Sequence, residues 1–169
     1  MTARSLVIMR HAKAEHVAGV PDTERALTQR GMGDATAAGA WLVSHGYQPE
    51  LVLCSPSRRT RQTWHAVAVA LSDAADPAAP LVRYESDVYH GGTAELLELV
   101  RELPPQIGAV LLIGHNPALT ELCARLDPTG ELDSDGLRTA GIAVHRSELP
   151  WSQWQAERVP LVELATPRA

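Results

Sequence analysis

Three widely separated groups of residues have types that suit phosphoryl chemistry: Arg10-His11, the run from Ser55 through Arg61, and His115. Histidine acts as nucleophile and proton carrier near neutral pH, and an arginine fork matches phosphoryl oxygens in pairs. Metal ligation is the rival use of two histidines. It is electrostatically unattractive here, because Arg10 adjoins His11 and no acidic partner accompanies them. Neither a metal nor any other cofactor is therefore expected. Arg58, Arg59 and Arg61 fall in the first turns of an expected helix, where the dipole disfavours each cation by about a few tenths of a kcal/mol. A bound dianion would compensate them, and a solvated basic face is the alternative use of Arg58 and Arg61.

Each group follows a short apolar run. Ser5 to Met9, Leu51 to Cys54 and Ala109 to Ile113 read as strands, with Leu81 to Tyr84 as another. Between them, Thr28 to about Ser44 reads as a helix capped by Thr28 and ended by Gly46. A second helix opens at Ser55-Pro56 and runs to about Ser72. Thr93 to Leu103 forms a third, closed by Pro104-Pro105, and a fourth opens at Asn116-Pro117 and reaches about Leu126. Gly141 to His145 and Gln155 to Leu164 alternate as two further strands, antiparallel to the others, while Ala12 to Leu27, Asp73 to Pro80 and Asp127 to Gly136 read as loops or turns. The rhythm predicts an α/β fold with a mostly parallel central sheet flanked by helices. Strand ends in such sheets converge on one crevice. Helices opening there would add amide donors and positive potential suited to phosphate.

A length of 169 residues fits one domain spanning residues 1–169. The net charge of -5 argues against nucleic acid or an anionic membrane as partner, and the 58–61 arginines lack the interleaved aromatics of a nucleic-acid groove. With only Cys54 and Cys123 present, no disulfide framework or cysteine-rich zinc site is suggested. The apolar run before Arg10 is too short for a signal core or a membrane span, so a cytoplasmic location is expected.

The segments LVIMRHAKAE, SPSRRTRQT and LLIGHNP together resemble the histidine-phosphatase superfamily, with its strand-RHG, S-x-x-x-R-A-x-x-T and strand-H-x-P elements. Within it the short phosphohistidine phosphatases of SixA type are the most similar, and Arg25-Ala26-Leu27-Thr28-x-x-Gly31 resembles a further element of that subgroup. The resemblance implies a three-layer, phosphoglycerate mutase-like fold. It also implies His11 as nucleophile, Arg10 and Arg59 as phosphoryl ligands, and a protonated His115 donating to the same oxygens. Ser55 and Asn116 lie in the same motifs and are expected to line the substrate site. Arg59 is singled out because it holds the fourth place after Ser55 and is followed four residues later by Thr63. Ala12 stands where glycine is usual and Thr60 where alanine is common; neither change removes a reacting group.

The superfamily's general acid follows the third strand. That points to Glu85, with Asp87, Glu15 and Asp22 as alternatives. Larger members carry lid insertions, whereas here a short loop joins Tyr84 to Thr93, so an open, shallow pocket is expected. His16, His45, His65, His90 and His145 are expected on the surface or in packing, with His16 and His90 near the rim. The resulting expectation is a phosphatase working through phosphohistidine on His11 and acting on a phosphorylated protein. A phosphomonoesterase for nucleotides or sugar phosphates is the alternative, and a catalytically silent phosphate-binding module a third reading.

Overall fold

The computed structural model describes residues 3–74 and 79–169. The strands are β1 (Arg4–Arg10), β2 (Leu51–Cys54), β3 (Leu81–Tyr84), β4 (Ala109–Gly114), β5 (Ile142–Ser147) and β6 (Leu161–Ala165). The helices are α1 (Gln29–Ser44), α2 (Arg58–Ser72), the short α3 (Ser86–His90), α4 (Thr93–Arg101) and α5 (Ala118–Leu126). The strands form one six-stranded sheet in the order β3-β2-β4-β1-β5-β6. Pairing is parallel from β3 to β1 and antiparallel where β5 meets β1 and β6.

The central strands are buried on both faces, as expected of apolar runs without alternation. Leu6, Ile8, Leu53 and Leu112 pack toward α4 and α5, whereas Val7, Met9, Val52 and Ile113 pack toward α1 and α2. The outcome is helix, sheet and helix in three layers. α1 and α2 approach closely, because Gly39 leaves no room for a side chain: a Cβ there would lie 2.9 Å from Ala70 Cβ.

Thr28 caps α1 as expected, its hydroxyl accepting the Gly31 N–H at 2.9 Å, and Gly46 takes a φ of +75° just past the end of the helix. Two helix starts differ from expectation. α2 opens at Arg58 rather than Pro56, since the Thr60 hydroxyl turns back to the carbonyls of Ser55 and Ser57 (2.8 and 2.9 Å) and holds residues 55–57 as a turn. α5 opens at Ala118, although Asn116 Oδ1 still accepts the Thr120 N–H at 3.2 Å. The expected loop after β3 contains α3. The last strand starts at Leu161 rather than Gln155, because Glu157 takes a φ of +61° and Pro160 has no N–H to pair. Of the expected turn at 73–80, residues 75–78 lie outside the described residues. Among the described residues no helix is long and apolar enough to cross a membrane.

Candidate active site

His11 follows directly on β1, and the surrounding backbone pins it. Its N–H donates to Gly114 O at 3.1 Å, and its carbonyl accepts the Ala140 N–H at 3.0 Å. The next residue, Ala12, donates its N–H to Thr63 Oγ1 (3.0 Å), whose own hydroxyl donates to Arg59 O (2.8 Å). The serine-to-threonine motif on α2 thus clamps the strand end that carries the histidine. Only 8% of His11 is exposed, and its Nδ1–H donates to Ala12 O at 2.7 Å, which leaves the lone pair on Nε2. Burial above all, helped by His115, Arg59 and Arg10, pushes the pKa down to about 3, so the ring is neutral at ordinary pH.

His115, at the end of β4, faces it with 5.3 Å between ring centroids. Arg59 Nη2 lies 3.3 Å from His115 Nδ1, and a guanidinium can only donate. The Nδ1 therefore accepts, and Nε2–H donates to the buried Ser55 hydroxyl at 2.8 Å. Burial and the neighbouring Arg59 lower the His115 pKa to about 4. Arg10 and Arg25 act in the same direction, and the Asp22 carboxylate opposes them. Arg59 is buried in the first turn of α2, while Arg58 and Arg61 are exposed. Helical spacing alone left these three arginines undivided.

The loop after His11 returns across this cluster. Leu27 N–H donates to Gln62 Oε1 at 2.7 Å, Thr28 N–H donates to Lys13 O at 2.9 Å, and a Cβ on Gly31 would collide with that Lys13 carbonyl. The Arg25-to-Gly31 element is therefore a brace for the loop. A 3-10 turn over Asp22–Glu24 sets Asp22 against Arg59: Nη1–H donates to Asp22 O (2.7 Å) and Nη2–H to Oδ2 (3.0 Å). Tyr89 of α3 donates its hydroxyl to the same Oδ2 at 2.6 Å and stands edge-on to His115, 5.4 Å between centroids. The Tyr89 bond, with Arg59 and Arg25, holds the Asp22 carboxyl well below the usual carboxylate range.

Arg10 is half-buried and donates Nη1–H to Leu137 O at 3.2 Å; burial lowers its pKa. Asn116 donates Nδ2–H to the same carbonyl (2.8 Å) and accepts from the Thr120 hydroxyl (2.8 Å), so both ends of its amide are engaged by the protein. Glu85 Oε1 accepts from Arg83 Nη2 at 2.6 Å, and none of the hydrogen bonds of Glu85 reaches His11, Arg59 or His115. Glu15 and Asp87 are exposed. His90 is exposed beside Tyr89, and His16 Nε2 meets Arg25 Nη2 at 3.0 Å. The contacts of Tyr89 and Leu137 O had no sequence signal: one is an aromatic in a five-residue helix, the other a backbone carbonyl.

A family model for the histidine phosphatase superfamily (branch 1) matches residues 6–81. Rv1276c, an uncharacterized protein of Mycobacterium tuberculosis, is 30% identical over 167 residues, which cover 95% of this chain and 100% of that protein. The chain belongs to the histidine phosphatase superfamily. Among superfamily structures, one assigned as the phosphohistidine phosphatase SixA of Nakamurella multipartitia superposes with a TM-score of 0.83 at 31% identity, covering 100% of this chain and 99% of its own. The protein histidine phosphatase SixA complexed with tungstate gives 0.73 at 25% identity, with 96% and 97% covered. The superfamily fold and its SixA-like subgroup, both expected from the motifs, are thereby established for this chain.

Proposed function

We propose that this superfamily member is a protein phosphohistidine phosphatase that carries the phosphoryl group transiently on His11 Nε2. Nε2 attacks phosphorus in line with the leaving group, the bond from phosphorus to that group breaks as the new P–N bond forms, and water then hydrolyses the phosphohistidine. One observation carries this reading: a neutral, buried His11 whose Nδ1–H is committed to Ala12, so that Nε2 is the free nucleophilic atom of the cluster. Arg10 and Arg59 flank it, and the Nε–H of each is buried with no partner in the protein. The positive charge that both arginines place beside His11 suits the equatorial oxygens of a phosphoryl group, where charge stabilisation is the main contribution a protein makes to this transfer. A dianion beside His115 raises its pKa and favours the doubly protonated, donating ring.

The carboxylates argue for the substrate class. Glu85 is bonded to Arg83 with no hydrogen bond to the cluster, and Asp22, which does reach it, is kept ionised by Tyr89 and arginines and so offers no acidic proton to a leaving group. An imidazole leaving group, with a pKa of about 6.5, needs far less help than an alkoxide. The SixA relative is complexed with tungstate, a tetrahedral oxyanion, which adds support for an oxyanion as the ligand of this subgroup. The test is turnover of a phosphohistidine peptide against phosphoserine peptide, nucleotide and sugar phosphate. The phosphohistidine peptide should give the highest kcat/KM. Faster turnover of a nucleotide or sugar phosphate would replace the reading with a small-molecule phosphomonoesterase, and binding without turnover with a silent module.

A further inference from the structure

Arg59 does not point a free fork at the site. Both of its terminal nitrogens are engaged by Asp22, Nη1–H by the carbonyl and Nη2–H by the carboxylate, at 2.7 and 3.0 Å, and Nη2 also lies 3.3 Å from His115 Nδ1. One carboxylate oxygen, Oδ2, and the backbone carbonyl of Asp22 together fill the two terminal donors, as two phosphoryl oxygens would, so the anionic Oδ2 stands in for a substrate oxygen at that fork. We propose that Asp22 is an internal competitor for the phosphoryl group, occupying the Arg59 fork until an incoming dianion displaces it. The inference rests on the reading of Arg59 as a phosphoryl ligand.

The surroundings of Asp22 suit displacement. Its side chain is 52% exposed while that of Arg59 is 7% exposed, so the arginine is the fixed partner and the aspartate the movable one. The 3-10 turn that carries it contains no buried residue, so lifting it takes none of its own side chains out of the core. Two secondary contacts hold the occupied state: the Tyr89 hydroxyl at 2.6 Å on Oδ2 and Arg25 Nη1 at 3.3 Å on Oδ1. An ion pair so open to water is weak enough for a doubly charged ligand to replace. Until it is replaced, the apparent affinity for phosphate is reduced by the fraction of molecules with the fork free.

The experiment measures binding of inorganic phosphate to the wild-type protein and to Asp22→Asn by calorimetry, together with a crystal structure of the wild-type phosphate complex. Asp22→Asn should bind phosphate on the order of tenfold more tightly. In the complex, phosphate oxygens should replace the Asp22 carboxylate at Arg59. No gain in affinity, including no binding by either protein, overturns the proposal, since Asp22 would then merely orient Arg59. A gain with the Asp22 to Arg59 contact intact in the phosphate complex also overturns it, because through-space repulsion then suffices. Neither readout needs turnover, so this failure is distinct from failure of the covalent reading, which is read on His11 itself.

Discussion

His11 and His145 are both buried, and each gives its Nδ1–H to a backbone carbonyl: Ala12 O at 2.7 Å for one, Val159 O at 3.1 Å for the other. Burial lowers both pKa values. The difference lies in the company kept by the other nitrogen. His11 follows the end of β1, among Arg10, Arg59 and His115, whereas His145 lies within β5, with its Nε2 buried and unpartnered on the antiparallel side of the sheet. Burial and a locked tautomer therefore do not make a nucleophile. What distinguishes the first site is convergence of cations at the ends of parallel strands, where a departing phosphoryl group can be held.

Substitutions sharpen this contrast. His11→Ala should lower turnover by at least about 10³-fold, because the covalent route loses its acceptor; comparable rates in the two proteins would break the comparison. Arg59→Ala should lower kcat/KM by on the order of 10²- to 10³-fold, as for loss of a preorganised charge donor. At His145, replacement by Leu should leave turnover within a few-fold, while stability falls by about 1–3 kcal/mol as the Val159 carbonyl loses its donor. A His11-sized loss of activity there would erase the distinction.

A pH series probes what the two sites share. The folded chain keeps His11, His115 and His145 neutral, while the unfolded chain protonates them near pH 6.5, so acid favours unfolding. Thermal stability should be fully present above about pH 6.5 and decline as pH falls, down to about 4 for the His115 contribution and about 3 for that of His11. His11→Ala should flatten part of that decline; an unchanged slope would mean that its ring is not held neutral.

The frame of the site was legible in the sequence. The limits of β2 and β3 coincide with the expected ones, Thr28 caps α1, and the fourth-place rule selected Arg59, which is buried, over its exposed neighbours. These features depend on local pattern, or on a motif whose spacing survives in one chain. What escaped depends on distant pairing or on side-chain competition. Asp22 was visible only as a carboxylate on a loop, and its match to Arg59 spans 37 positions that no local rule relates. Tyr89 rides on a helix too short to announce itself by periodicity. A helix was expected to open at Ser55-Pro56, yet the Thr60 hydroxyl holds residues 55–57 as a turn and the Ser55 hydroxyl receives His115. Asn116, expected among substrate ligands, is turned to the Leu137 carbonyl that also receives Arg10.

The most direct test of the central claim is a rapid-quench experiment with a phosphoryl-labelled phosphohistidine peptide, followed by mapping of the labelled site. The account predicts an acid-labile, base-stable label on Nε2 of His11 that forms and decays at the rate of turnover. Turnover continuing with no label on the protein, or with the label on a different side chain, would contradict it.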